Sequence, residues 1–144
     1  MPVSSIPQVH PGGALPAARN FITQLVFEYL TENEDAHAKN FSVLKNVQGE
    51  WQPTRAYDLP STFFYDDASM AMTLNAKSAD FGSEHFVNLG VHLGSPERAV
   101  RRIINDMSEL VDLWLPNIDE LPITAAAKAR FVHHANYRRT RIAA

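Results

Sequence analysis

The sequence has no cysteine among its 144 residues, which excludes disulfides and the cysteine-based zinc and redox sites. It also lacks a long uncharged apolar run and a basic leader before an apolar segment, so we expect neither a transmembrane helix nor a secretion signal. Hydrophobic residues make up 45% of the chain, enough for one core without a cross-link. These features predict a soluble, cytoplasmic protein.

Acidic residues are missing from the C-terminal segment, although the whole chain has a net charge of only −3. Residues 121–144 contain no Asp or Glu but hold the cations Lys128, Arg130, Arg138, Arg139 and Arg141. Such a segment is typical of a solvated helix face with positive charge near the helix C-terminus. A surface that contacts DNA or an acidic partner is the alternative.

Prolines concentrate at the N-terminus, where residues 1–16 hold four of them together with Gly12 and Gly13. Few regular hydrogen bonds can form in such a segment. We therefore expect a flexible lead-in over residues 1–16 and one folded domain over residues 17–144.

Apolar spacing predicts a mainly helical α+β fold. The three-and-four periodicity of apolar residues predicts four helices, at residues 17–30, 81–93, 96–115 and 123–142. Ser95 and Pro96 are expected to cap and begin the third helix, and Pro116 to end it.

Short strands are predicted on both sides of the turn-prone residues 46–49, with Phe41 and Val43 before the turn and Trp51 after it. A further short edge strand is predicted where Met70, Met72 and Leu74 alternate with small or polar residues. The fold class is therefore mainly α with short β-hairpins.

The polar loop between the first helix and the hairpin holds the residues best suited to chemistry. Residues 33–42 read Asn-Glu-Asp-Ala-His-Ala-Lys-Asn-Phe-Ser. Phosphoryl transfer needs a carboxylate that accepts the proton of the attacking hydroxyl, and an oxygen ligand for a magnesium ion on the nucleotide phosphates. Asp35 and Asn40 fit these tasks, and their spacing equals that of the protein-kinase catalytic loop.

A second magnesium ligand is expected beyond the hairpin, where Asp58 follows Ala56 and Tyr57. One Asp and one Asn suffice as protein ligands, because magnesium keeps waters and phosphate oxygens at its other positions. Tyr57, Phe63 and Phe64 are predicted to be core residues that hold the aspartate in place. The alternative is that Asp35 and Asn40 only cap their own loop.

Histidines give little support for another metal site. His37 beside Asp35 supplies too few convergent ligands for zinc. His133 and His134 are adjacent, so on a helix their side chains diverge by about 100° and a solvated pair is predicted.

The polar loop and the segment after the hairpin together form a longer string of polar and aromatic residues: Asn33, Asp35, His37, Lys39, Asn40, Phe41 and Ser42, followed by Ala56-Tyr57-Asp58 and Ser61-Thr62. This string resembles the signature of the HipA-like serine/threonine kinases, the toxins of type II toxin–antitoxin pairs. The resemblance covers about residues 21–114 and is most specific over residues 33–42. It implies a protein-kinase-like C-lobe, a helical bundle with a catalytic loop and small strands.

The resemblance also implies roles for single residues. Asp35 would be the catalytic base, while Asn40 and Asp58 would bind magnesium. Lys39 would lie near the transferring phosphate, where a cation offsets developing charge, or else be a solvated loop lysine. Asn33 and His37 would take part in nucleotide binding. ATP and Mg²⁺ are the implied cofactors, and a serine or threonine of a protein is the implied acceptor.

Two features depart from a complete kinase of this family. The family usually has glycine where this chain has Glu32, so a glutamate there would strain the loop if the position has positive φ or a close backbone contact. No glycine-rich loop precedes the first helix, and the first lysine is Lys39. We therefore expect a fragment, a remnant or one half of a split kinase.

Two functional hypotheses follow. The first is the catalytic lobe of a serine/threonine kinase toxin. The second is a kinase-derived binding module without catalysis, which docks an antitoxin, a separate N-lobe or DNA. An unrelated helical domain with a fortuitous loop is a third possibility, which the joint presence of Asp35, Asn40 and Asp58 disfavours.

Overall fold

The computed structural model describes residues 14–65, 71–74 and 79–143, and this part of the chain is mainly helical. Its α-helices are α1 (Ala14–Leu30), α2 (Ser83–His92), α3 (Glu97–Trp114) and α4 (Ala125–Ile142). Its two strands are β1 (Val43–Lys45) and β2 (Trp51–Pro53), and 3-10 turns lie at Ala38–Asn40, Phe63–Tyr65 and Leu115–Glu120. The predicted mainly helical fold with a short hairpin is confirmed. Among the described helices, none is long and apolar enough to cross a lipid bilayer.

The central helix α1 begins three residues earlier than its apolar pattern predicts, at Ala14. Pro16 lies in its first turn, where a missing backbone N–H costs nothing. Residues 1–13 of the predicted lead-in lie outside the described residues. One face of α1 is fully buried and forms the middle of the core, through residues such as Ile22 and Leu25.

Aromatic rings fill the core between α1 and α2. The ring of Tyr29 lies 5.5 Å from that of Phe81 and 5.6 Å from that of Phe86. The Tyr29 hydroxyl donates a hydrogen bond to the backbone oxygen of Phe81 at 3.1 Å, so its one polar atom is satisfied inside the core. This cluster fixes the end of α1, from which the polar loop departs.

The start of α3 differs from the prediction. Pro96 is the N-cap residue and the helix begins at Glu97, while the Ser95 side chain makes no capping bond. Ser95 donates its backbone N–H to the oxygen of Gly90 at 2.8 Å, which holds it in the turn after α2. The Ser95 hydroxyl is buried there without a partner in the described part of the chain. The predicted end is confirmed, because α3 stops at Trp114, two residues before Pro116.

The hairpin is antiparallel, with Leu44 opposite Gln52 and Lys45 opposite Trp51. Its turn is closed by Asn46, whose side-chain oxygen accepts hydrogen bonds from the backbone of residues 48 and 50 at 3.0 and 2.9 Å. Gly49 has a φ of 80°, which suits glycine. The predicted hairpin is therefore confirmed.

The predicted edge strand is not a strand within residues 71–74. Leu74 forms a single bridge there, and Met70 lies outside the described residues. Met72 and Leu74 are buried, as their alternation predicts. The backbone N–H of Ala71 bonds to the oxygen of Glu34 at 2.8 Å, so this segment is held against the polar loop.

Gly90 allows α2 and α3 to pack closely, and Gly90→Ala tests this. A Cβ at Gly90 would lie 2.3 Å from Cγ2 of Val100. We expect the variant to lose about 1–3 kcal/mol of unfolding free energy in urea titrations, although alanine is the better helix former. Adding Val100→Ala should make the loss smaller than the sum of the two single variants. A more stable Gly90→Ala variant would contradict this packing.

Candidate functional site

The structure brings together the two predicted magnesium ligands, Asn40 and Asp58. The side-chain nitrogen of Asn40 lies 2.8 Å from Oδ2 of Asp58, across 18 residues of sequence. Asn40 is buried at the end of the 3-10 turn Ala38–Asn40, whereas Asp58 is exposed. Asn40, on the polar loop, and Asp58, after the hairpin, therefore form one contiguous polar site.

Local hydrogen bonds and one aromatic contact fix the loop around Asn40. Its side-chain oxygen accepts the backbone N–H of His37 at 3.1 Å, and its own N–H bonds to the His37 oxygen at 2.9 Å. Phe41 follows at once and packs edge-on against Phe21 of α1, with the ring centroids 4.6 Å apart. The loop that bears Asn40 is thus held against α1.

Asp35 and Lys39 lie on the same loop and are exposed. Exposure alternates along this stretch: the side chains of Glu34 and Ala36, on either side of exposed Asp35, are only 1% and 0% exposed. The two buried neighbours hold the backbone, while the Asp35 carboxylate faces solvent. An incoming hydroxyl could reach it.

Asn33 and His37, the residues expected near the nucleotide, lie deeper. Asn33 is 1% exposed, and neither side-chain atom has a hydrogen-bond partner among the described residues. Nδ1 of His37 is likewise buried without a partner there. Buried polar atoms are nearly always paired, so these three atoms leave hydrogen-bonding capacity beneath the loop.

Tyr57 does not belong to the core, contrary to the prediction. It is 43% exposed, and its hydroxyl donates to the backbone oxygen of Lys39 at 2.6 Å and lies 2.6 Å from the hydroxyl of Ser42. The residue before Asp58 thereby ties the aspartate's segment to the loop that bears Asn40. Phe63 and Phe64 are partly buried and pack against the core, at 5.4 and 5.6 Å from the ring of Phe131, while their predicted support of Asp58 stays a prediction.

The donor set of Asn40 and Asp58 fits magnesium, which prefers hard oxygen ligands and takes few from the protein. The Asp58 carboxylate is exposed, so one oxygen can face an ion while the other stays near Asn40. Asn40 presents its nitrogen to Asp58, so binding of one ion by both side chains requires the amide oxygen to turn toward it. Asp58 has a φ of 54°, a conformation that Asp and Asn tolerate better than most residues.

A buried carboxyl group lies beneath the site. Glu28, in the last turn of α1, is 0% exposed; Oε1 accepts a hydrogen bond from Gln24 at 2.8 Å, and Oε2 has no partner in the described part of the chain. Burial raises the pKa of Glu28 to about 7, with a smaller contribution from the negative charge of Asp58. Glu28 therefore carries a proton over much of the acidic range.

The position where the family usually has glycine does adopt positive φ: Glu32 has a φ of 59°. Such a backbone costs a residue with a side chain about 1–2 kcal/mol. The Glu32 carboxylate is nevertheless buried, and Oε2 lies 2.9 Å from the guanidinium of Arg138. Arg138 also pairs with Glu34 and donates to the backbone oxygen of Tyr29 at 2.8 Å. The strained backbone at Glu32 is therefore restrained by α4, through Arg138.

The cluster of Glu32, Glu34 and Arg138 has a net charge of −1 when both carboxyl groups are ionised. Burial raises the pKa of Glu32 to about 7, even though Arg138 acts to lower it and Glu34 acts to raise it further. Protonation of one carboxyl group near neutral pH balances the charge.

Much of the basic C-terminal segment is engaged within the chain, which corrects the prediction of a solvated face. Arg138 is 9% exposed. Arg139 pairs with Asp112 of α3, and Arg141 lies 3.1 Å from Asp80. Lys128 donates to the backbone oxygen of Asp119 at 2.6 Å. These contacts place opposite charge or an acceptor beside the cations, which weakens the case for a basic DNA-binding face.

His133 and His134 are both exposed, as predicted.

Sequence reasoning missed Arg138 and Glu28, although each left a signal. Arg138 shares the face of α4 that buries Phe131, Ala135 and Ile142, at helical spacing from each. Glu28 follows buried Leu25 by three positions, so it lies on the apolar stripe of α1. A charged residue within an apolar stripe indicates a buried partner or a shifted pKa.

Comparisons with known proteins agree with this arrangement. A serine/threonine-protein kinase toxin HipA from Shewanella oneidensis is 32% identical over 131 residues, which cover 82% of this chain and 28% of that protein. A Sinorhizobium fredii protein named "Putative kinase Y4mE" is 34% identical over 109 residues, covering 70% of this chain and 26% of its own length. The chain thus spans about a quarter of the length of these relatives.

The fold also matches a solved structure, the complex of HipA, HipB and operator DNA from a toxin–antitoxin system of Shewanella oneidensis MR-1. The match has a TM-score of 0.65 at 21% sequence identity and covers 90% of this chain and 34% of that one. The model of the HipA-like C-terminal domain matches residues 5–114, a range that includes every predicted site residue. The chain therefore belongs to the HipA-like C-terminal domain family.

Proposed function

We propose that this chain is the catalytic C-lobe of a HipA-like serine/threonine kinase, which transfers the γ-phosphate of ATP to a hydroxyl group of a protein. The observation that carries the proposal is the 2.8 Å contact between Asn40 and Asp58, beside an exposed Asp35 on the same loop. Membership of the family and its two kinase-named relatives support it. The lobe comprises residues 17–144, as the sequence predicts, and helix α1 extends it back to Ala14.

Each residue takes one task in the transfer. Asp35 accepts the proton of the attacking hydroxyl, a role that its exposure allows. Asn40 and Asp58 hold Mg²⁺, which neutralises charge on the nucleotide phosphates when it is bound. Lys39, exposed and next to Asn40, offsets negative charge on the transferring group.

Asn33 and His37 contribute to nucleotide binding from beneath the loop. Their unpaired polar atoms are buried, so they act by orienting the loop backbone or through a bound water rather than by direct contact with ATP. Glu28, their buried neighbour on α1, remains protonated below neutral pH and adds no charge to the site there.

The nucleotide-covering loop and the lysine–glutamate pair of a kinase come from an N-lobe outside these residues, since no glycine-rich loop precedes Asn33. By analogy with the solved HipA, HipB and operator DNA complex, we assign an antitoxin as a partner and DNA as a contact made through that antitoxin. The compartment that fits these partners is the cytoplasm. The 2.8 Å contact between Asn40 and Asp58 and the exposure of Asp35 support a catalytic lobe over a non-catalytic docking module.

Calorimetric titration of the chain together with its N-lobe, using a non-hydrolysable ATP analogue and Mg²⁺, tests the proposal. We expect binding in the micromolar range, which weakens by roughly tenfold or more in Asp58→Asn because one carboxylate ligand is lost. Asparagine is chosen because it tolerates the φ of 54° at this position, so the variant should remain folded.

The matched control is Asp119→Asn, which removes an exposed carboxylate from the 3-10 turn Leu115–Glu120. It should bind the analogue as the wild type does. An affinity that is the same with and without Mg²⁺, or is unchanged in Asp58→Asn, would contradict the proposed site.

A further inference from the structure

The side chain of Arg138 links helix α4 to the polar loop. Its guanidinium contacts Oε2 of Glu32 at 2.9 Å, pairs with Oε1 of Glu34, and donates to the backbone oxygen of Tyr29 at 2.8 Å. It also lies over the Tyr29 ring, 4.6 Å from the centroid. Arg138 therefore joins the end of α1 to both acids that precede Asp35.

The same two acids are fixed a second time, from the segment that follows Asp58. The backbone N–H of Thr62 donates to the oxygen of Glu32 at 2.9 Å. The Thr62 hydroxyl accepts the N–H of Glu34 at 2.8 Å and lies 3.2 Å from the oxygen of Glu32. Thr62 holds the backbone of residues 32–34, and Arg138 holds their side chains.

This arrangement has a direct bearing on Asp35. Glu34, the residue before it, has its side chain buried against Arg138, while the Asp35 side chain is exposed. Glu32 keeps its left-handed backbone with its carboxylate held by Arg138. A bidentate guanidinium suits this task, because its planar donors can bind two carboxylates and a carbonyl at once.

The HipA-like C-terminal domain model ends at residue 114, whereas α4 covers Ala125–Ile142. The loop is thus fixed by a helix outside the matched range. Arg138 is 9% exposed, which distinguishes it from its neighbour Arg139, a surface partner of Asp112.

We propose that Arg138 is a positioning residue: by pairing with Glu32 and Glu34, it locks the loop that presents Asp35, so that α4 controls the geometry of the active site. Its significance for catalysis rests on the proposed function, whereas the lock itself does not. Displacement of α4 would release the loop without touching any residue that contacts ATP.

The lock is tested by hydrogen exchange at the amides of Glu34 and Asn40, in the loop, with amides of α3 as internal reference. In Arg138→Met we expect the two loop amides to exchange at least tenfold faster relative to α3. Removal of Arg138 leaves two buried carboxylates without a counter-ion, so this variant also loses thermal stability.

A triple variant separates positioning from charge balance. Arg138→Met combined with Glu32→Gln and Glu34→Gln leaves no unpaired buried charge in the cluster. We expect its melting temperature to recover toward that of the wild type, while the loop amides still exchange at least tenfold faster. If loop protection returned together with stability, Arg138 would serve only to balance charge and the proposal would be overturned.

Arg139→Met is the matched control, because it removes a neighbouring guanidinium of α4 that pairs with α3 instead. Its loop amides should exchange as in the wild type, and faster exchange there would show that any loss of charge on α4 loosens the loop, against the proposal. Titration with the ATP analogue and Mg²⁺ should show at least tenfold weaker binding by the triple variant. With the N-lobe present, a wild type that bound no nucleotide would overturn the proposed function alone, since the exchange rates decide the lock independently.

Discussion

Asp35→Asn should reduce phosphoryl transfer by a factor of roughly 10²–10⁴, the usual contribution of a general base. Asparagine keeps the size and polarity of the side chain but cannot accept the proton of the attacking hydroxyl. Because Asp35 is exposed, the unfolding free energy should change by no more than about 0.5 kcal/mol. Activity and stability should therefore separate cleanly in this variant.

Transfer of labelled phosphate from ATP to a protein acceptor measures the effect, with the N-lobe present in the assay. Nucleotide binding should persist in Asp35→Asn, because Asn40 and Asp58 are intact. Asp119→Asn again serves as the control and should transfer phosphate at the wild-type rate. Undiminished transfer by Asp35→Asn would refute its role as the base.

The second large effect concerns Glu28, whose ionisation should make stability depend on pH. Its pKa is raised from 4.5 to about 7 in the folded chain, mainly by burial. The stability that protonation provides is fully present below pH 4.5 and is lost as pH rises through about 7. At about 1.4 kcal/mol per unit, the loss amounts to about 3 kcal/mol.

Glu28→Gln removes this ionisation while keeping an oxygen for the hydrogen bond from Gln24. We expect the variant and the wild type to differ little at pH 5, and the variant to be more stable at pH 8. Urea titrations at both values measure this. Glu32, whose pKa is also raised to about 7, should leave the variant with some of the original pH dependence. An unchanged pH profile would show that Glu28 does not ionise as its burial predicts.

Local patterns predicted much of the fold. The apolar stripe of α3 predicted the helix and Pro116 predicted its end, which lies at Trp114. Asn46 and Gly49 predicted the hairpin turn. Both depend on residues close in sequence. Ser95 failed as a cap because a backbone bond to Gly90 draws it into the turn after α2, an effect that its own residue type does not reveal.

The sequence predicts those parts of the site whose residues lie near one another along the chain. Asp35 and Asn40 share one loop, and the position of Asp58 after a hairpin could be anticipated. The partnership of Arg138 with Glu34 spans 104 residues, and no local pattern specifies which acid a distant cation will meet. The aromatic ring of Tyr57 predicts a core position, but its hydroxyl lies at the surface, hydrogen-bonded to the backbone oxygen of Lys39 and the hydroxyl of Ser42.

In the proposed site, Asn40 of the polar loop and Asp58 beyond the hairpin bind one metal ion together. Nuclear magnetic resonance with Mn²⁺ in place of Mg²⁺, added together with the ATP analogue, tests it most directly, because a paramagnetic ion broadens nearby amide signals. We expect broadening at Asn40 and Asp58 and their neighbours, lost in Asp58→Asn, with little change at Asp112 on α3. Broadening centred elsewhere, or unaltered by Asp58→Asn, would contradict it.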